Sequence, residues 1–116
     1  MSEREFELVE VFKHRRRTCV VVRVNLMGIG VFHNGYAQVQ PRHKGIDYND
    51  LLDRITTDEL TFSGELTFDH ADIAGRGFVG FDTAHHHNRL YPETTTQERV
   101  RAKTVSLCNE LIEKNI

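Results

Sequence analysis

The sequence predicts an α+β fold: a mainly antiparallel sheet of about five to six strands, with a C-terminal helix packed on one face and a short middle helix. Three observations lead to this prediction. Short runs of β-branched and aromatic residues recur as far as Phe81, separated by turn-forming residues. One long segment with helical spacing of apolar residues follows near the C-terminus. A chain of 116 residues has room for one core, so residues 1–116 are expected to form a single domain.

The first two strands are predicted at residues 6–13 and 18–24. Apolar side chains alternate, with some irregularity, in the first of them. The second is a nearly continuous β-branched run, which is typical of a central strand. The basic run between them, residues 14–17, is predicted to form the polar turn of a hairpin.

A second hairpin is predicted at Asn34-Gly35. An Asn-Gly pair between apolar segments favours a type I′ turn, because both central residues of that turn need a positive φ. The flanking strands would cover residues 26–32 and 36–40. Gly28 and Gly30 would then mark a bulge or a close approach to the backbone.

Shorter elements complete the predicted sheet. Asp47 is expected to cap the short middle helix. A strand broken near Ser63-Gly64 is predicted over residues 60–68, and another over residues 77–81. The loop at residues 82–92 holds three consecutive histidines, His85, His86 and His87.

The C-terminal segment is predicted to be a helix that begins near Thr95. Thr95 and Glu98 have the spacing of a capping box. Its apolar side chains share one stripe, which is expected to lie across one face of the sheet. The stripe comprises Val100, Thr104, Leu107 and Leu111, with Cys108 and Ile112 at its edge.

Composition narrows the class of protein. Hydrophobic residues make up 39% and charged residues 28%, which is typical of a globular rather than a disordered chain. The net charge of −2 is not that of a typical nucleic-acid-binding domain, so no nucleic acid partner is expected. No apolar run reaches the roughly 18–20 residues that span a bilayer, and the N-terminus does not resemble a secretory signal. Cys19 and Cys108 are expected to be buried, reduced thiols.

The segment Gly80-Phe81-Asp82-Thr83-Ala84-His85 fits a Gly-Phe-Asp-x-Ala-His pattern directly. With weaker matches at other positions, it resembles an uncharacterised family of small phage and prophage proteins. Ser63 and Glu65 depart from the family, which usually has histidine and glycine there. The resemblance implies a phage protein in the cytoplasm of the host cell. The weaker matches are Asn34-Gly35-Tyr36, then His43, Gly45 and Tyr48, and the run from Ser63 to Phe68.

Asp82 and His85 are the candidate catalytic residues. A carboxylate beside an imidazole fixes its tautomer and raises its basicity, which suits a general base or a ligand contact. His85 and His87 would point the same way in extended backbone and could share a metal with Asp82, although the sequence does not decide whether a metal binds. The alternative interpretation is an aspartate that caps the loop and a histidine packed for hydrogen bonding.

Glu65, Thr67, His87 and Arg16 are the candidate ligand-binding residues. Glu65 and Thr67 share one face of a strand, and Glu65 would form a carboxylate pair with Asp82 if their strands were neighbours. Arg16 lies in the basic run, whose guanidinium groups could clamp a phosphate. The alternatives are a solvent-facing side of the sheet and a solvated turn.

These features favour a binding protein that sequesters or blocks a host factor or a small anionic, nucleotide-like molecule as counter-defence. One alternative is a hydrolase using Asp82 and His85, with or without a metal. Another is a structural or protein-interaction module. Whether the protein is an enzyme stays open, no cofactor is predicted, and a homodimer with a shared pocket is one expected assembly.

Overall fold

The computed structural model describes residues 4–56 and 60–116. Within these ranges five strands form one antiparallel sheet in the order β1-β2-β3-β5-β4. The predicted α+β class is therefore confirmed. The strands are β1 (Arg4–His14), β2 (Arg17–Leu26), β3 (Gly30–Gln38), β4 (Leu60–Glu65) and β5 (Gly77–Phe81).

Two α-helices follow the last strand, α1 (His86–Leu90) and α2 (Gln97–Glu113). The predicted middle helix is a 3-10 turn at Tyr48–Leu51, and the Asp47 carboxylate accepts a hydrogen bond from the Asn49 amide at 2.9 Å, as expected of a cap. Further 3-10 turns lie at Pro41–His43 and Pro92–Thr95.

The basic run forms the predicted turn between β1 and β2. His14 and Arg17 are paired in the ladder, and the two residues between them, Arg15 and Arg16, have φ of 49° and 71°. Two left-handed residues in a two-residue loop match the twist of an antiparallel hairpin. The turn is built from arginines although glycine or asparagine is the usual choice.

The hairpin predicted at Asn34-Gly35 is wrong. Both residues lie inside β3, which runs without interruption beside β2. The chain reverses earlier, between Leu26 and Gly30, where Gly28 and Gly30 have φ of 86° and 107°. Gly35 instead lies against Thr104 of α2, with no room for a side chain between them.

The sheet has an apolar core on each face. The buried stripe of α2 covers one face and includes Val100, Thr104, Leu107, Cys108 and Leu111, as predicted. The segment after β4, with Leu66 and Ile73, covers the other face over Val20, Val22 and Phe78. Cys19 and Cys108 are buried and not joined by a disulfide.

Helix α2 begins one residue later than predicted. Thr96 is the N-cap, and its hydroxyl accepts a hydrogen bond from the Arg99 amide at 3.3 Å. The Thr95 hydroxyl instead donates to the Pro92 carbonyl at 2.8 Å within the preceding 3-10 turn. In the described part of the chain, no helix has the length and apolar character that crossing a membrane requires.

Candidate functional site

The acid and the imidazole predicted to lie side by side do so. Asp82 is the first residue after β5, and its Oδ1 is 3.0 Å from Nε2 of His85. The same carboxylate accepts a hydrogen bond from the Ala84 amide at 3.1 Å. Asp82 therefore closes a tight turn by bonding to groups two and three residues further along the chain.

His85 serves as the N-cap residue of α1. Its backbone amide donates to Oδ1 of Asn88 at 3.2 Å, and Asn88 is buried. Nε2 of the imidazole, the atom nearest Asp82, is shielded from solvent. The pair therefore holds the turn between β5 and α1, as in the alternative interpretation made from the sequence.

A cleft of about 610 Å³ separates this turn region from α2. Such a volume lies within the range of small-molecule sites. Thr83 lines the cleft. The Thr83 hydroxyl donates to the His33 carbonyl at 2.7 Å and lies 3.3 Å from the His33 amide, so Thr83 is held against β3 beyond the end of β5. The residues lining the cleft are Asp82, Thr83, His87, Asn88, Thr94, Arg99, Ala102, Lys103 and Ser106.

One wall of the cleft is cationic. Arg99 and Lys103 are four residues apart on α2, so they lie on the same side of the helix in successive turns. The Lys103 ammonium is 4.7 Å from the centre of the Phe81 ring. Asp82 is the acidic residue among the described lining, so the two cations of this wall outnumber the carboxylate. The wall therefore favours an anion.

The opposite wall is held by a chain of hydrogen bonds. The Asn88 amide donates to the Thr94 hydroxyl at 2.7 Å, and that hydroxyl donates to the Tyr91 carbonyl at 2.6 Å. The His87 ring lies against the Tyr91 ring, with centroids 5.1 Å apart and planes inclined at 45°. Asn88 and Thr94 therefore shape this wall, while the His87 ring reaches the cleft.

The arrangement expected for a shared metal is not formed. His87 lines the cleft, whereas His85 is not among its lining residues. The prediction assumed extended backbone, in which side chains two residues apart point the same way. These residues instead begin a helix, so the side chains of His85 and His87 point in different directions. Among the residues that the structure describes, no three His, Cys, Asp or Glu side chains are grouped to hold a metal ion.

Glu65 and Thr67 lie away from this cleft. Glu65 pairs with Gly77 at the start of β5, whereas Asp82 follows Phe81 at its end. Gly77 and Asp82 are therefore separated by about 16 Å of extended strand. The carboxylate pair predicted for Glu65 and Asp82 is therefore wrong, and Glu65 instead forms an ion pair with Lys44 at 3.1 Å. Thr67 is an exposed residue beyond the end of β4.

Arg16 lies in the exposed turn between β1 and β2, outside the cleft. The neighbouring Arg15 guanidinium donates to Asn109 at 3.3 Å, which marks where that turn meets α2. Asn109 is about 15 Å along the helix axis from Arg99 at the usual rise per residue. Arg16 and the cationic wall are thus separate groups of charge.

No motif in the sequence singled out Arg99 and Lys103. The only available signal was a basic pair at helical spacing beside the apolar stripe, and such a pair is also typical of a solvated helix face. Comparison of the chain with known protein families, with curated proteins and with solved structures gives no match. The resemblance to phage proteins stays a prediction.

Proposed function

We propose that this protein binds a small anionic molecule in the cleft between the turn after β5 and helix α2. The observation that carries the proposal is the placement of Arg99 and Lys103 on one wall of a cavity of about 610 Å³. A guanidinium fork can bind two oxygens of a phosphate or carboxylate at once, and an ammonium adds a point charge. Ser106 on the same helix supplies a hydroxyl.

Local charge, rather than the charge of the whole chain, would attract this ligand. The net charge is −2, so the protein has no overall attraction for anions. Two cations at a concave surface still produce a positive local potential, because the surrounding protein is less polarisable than water. The binding of other anions should therefore compete directly with that of the ligand.

A hydrolase is the second candidate, and the 3.0 Å contact of Asp82 with His85 is the observation that favours it. In such an enzyme the carboxylate would orient the imidazole for proton transfer. Because Asp82 contacts Nε2, the other ring nitrogen, Nδ1, would have to accept the proton. His85 does not line the cleft, and this position supports the binding function more.

The biological use that we propose is counter-defence. A phage protein in the host cytoplasm would act by sequestering a host signal or by blocking a host factor. A homodimer belongs to the same proposal, because β1 and β4 are the edge strands of the sheet and an open edge can pair with a second copy. Light scattering coupled to size-exclusion chromatography measures the oligomeric state.

Calorimetric titration with pyrophosphate tests the proposed function. We expect binding to the unmodified protein and about 10-fold weaker binding for either Arg99→Gln or Lys103→Gln, since each removes a charged hydrogen-bond donor. Arg76→Gln is the matched control: it removes one positive charge from an exposed residue just before β5. The proposal would be refuted if pyrophosphate did not bind, or if all three variants lost the same amount of affinity for it.

A further inference from the structure

The cleft is larger than a bare phosphate group requires. Its volume of about 610 Å³ falls in the range of sites that hold ligands of drug size. The cations Arg99 and Lys103 lie on the α2 side, so the rest of the ligand would extend toward the wall formed by residues 87–94. The chemistry of that second wall therefore indicates what the anion is attached to.

The polar groups of the second wall are largely engaged within the protein. Asn88 uses its amide nitrogen on Thr94 and its amide oxygen on the His85 backbone. The Thr94 hydroxyl both accepts from Asn88 and donates to the Tyr91 carbonyl. These side chains have little remaining capacity to recognise a polar ligand.

The second wall presents one ring to the cleft. His87 is solvent-exposed and lines the cleft. Tyr91 is half exposed (51%) and does not line the cleft, but its ring lies against that of His87, with centroids 5.1 Å apart. At that distance the Tyr91 ring can fix the orientation of the His87 ring. We call the His87 ring, supported by Tyr91, the aromatic platform.

We propose that the anion is a nucleotide, with its phosphate on Arg99 and Lys103 and its base stacked on the aromatic platform. This inference rests on the proposed function, because it assigns the second half of the same ligand. Stacking suits the platform because every base presents a π-face and needs no hydrogen-bond partner for it. The structure does not favour one base over another, since the polar groups beside the platform are engaged.

The test compares AMP with ribose 5-phosphate, which carries the same phosphate and sugar but no base. We expect AMP to bind about 10-fold more tightly, which is the usual contribution of one stacked base. His87→Leu should remove that difference, whereas His87→Phe should keep it. His86→Leu is the control, because His86 is an exposed histidine on the same helix that does not line the cleft.

Fluorescence gives a second measurement that does not depend on affinity. The chain has no tryptophan, so the emission of a 2-aminopurine nucleotide can be followed without interference from that residue. Stacking on the platform should quench the emission of this nucleotide in the unmodified protein and in His87→Phe, and less so in His87→Leu. The melting temperature of each variant shows whether it is folded.

The outcomes separate the two proposals. Equal affinity for AMP and ribose 5-phosphate, with both still weakened by Arg99→Gln, would overturn the nucleotide inference and leave anion binding standing. An AMP preference that survives in His87→Leu would also overturn it. If AMP, ribose 5-phosphate and pyrophosphate all fail to bind, both proposals fall.

Discussion

Gly35 on β3 lies directly beneath Thr104 on α2: a Cβ atom on the glycine would be 2.0 Å from the threonine hydroxyl oxygen. The same atom would be 2.7 Å from Cζ of Phe81. The absent side chain therefore lets the helix backbone approach the sheet. Because Lys103 precedes Thr104 and lies over the Phe81 ring, this contact also sets the position of the cationic wall.

Gly35→Ala should destabilise the protein by about 2–3 kcal/mol, because the added methyl group meets packed atoms on two sides. Urea unfolding followed by circular dichroism measures the change. Thr104→Ala in the same chain removes one of the two clashes, so the double variant should lose less stability than the two single changes combined. A Gly35→Ala variant as stable as the unmodified protein would contradict this packing.

The same contact explains why the fold was only partly predictable. Strand 77–81 and the valine-rich β2 follow from local patterns, and both were predicted nearly to the residue. Asn34-Gly35 carries the local signal of a turn, yet Gly35 is glycine for a tertiary reason, the approach of α2. A single sequence does not distinguish these two uses of glycine.

Asp82→Ala should lower the stability of the turn after β5. The substitution removes the acceptor of the Ala84 amide and the contact with His85, so we expect a loss of about 1–2 kcal/mol. Asp82→Asn keeps a side-chain oxygen for the amide and should lose less. Urea unfolding measures stability, and amide hydrogen exchange at residues 84–88 shows where protection is lost.

A phosphate-release assay on the same variants addresses catalysis. The capping role predicts that the unmodified protein binds pyrophosphate without releasing orthophosphate. Turnover by the unmodified protein that disappears in Asp82→Asn, while the fold is retained, would instead establish the hydrolase.

Only the part of the candidate site that is formed by residues close together in the sequence could be predicted. Asp82 and His85 are three residues apart at the end of a strand, so their contact follows from the chain itself. The proposed pairing of Glu65 with Asp82 needed the register of β4 on β5, which places Glu65 at the far end. Arg99 belongs to the cleft only because α2 crosses the sheet beside the turn, and no local pattern contains that information.

Stability should fall as the pH rises above about 10. Burial raises the pKa of Tyr36 above its ordinary 10.0, outweighing the hydrogen bond from Asn34, and the Asp82 carboxylate adds to the rise. The phenol is neutral in the folded state, so its contribution is complete below the unfolded pKa and is lost as the unfolded chain ionises.

Urea unfolding at a series of pH values between about 7 and 11 measures this loss. Tyr36→Phe should flatten the part of the curve that begins near the phenol pKa. This variant is compared with its own stability at neutral pH, because it also changes core packing. A stability that is constant over this range in the unmodified protein would contradict the burial of Tyr36.

Pyrophosphate affinity should weaken as the salt concentration rises, because the proposed contacts are between charges at a partly open surface. The dependence should be smaller in the double variant Arg99→Gln/Lys103→Gln, which lacks both cations of the wall. Arg16→Gln is the control, since it removes a positive charge from the separate basic turn and should leave both the affinity and its salt dependence unchanged. Titrations at low and high sodium chloride measure these differences. Should Arg16→Gln lower the affinity as much as Arg99→Gln does, the anion would bind at the basic turn, and the cleft between α1 and α2 would lose its assigned role.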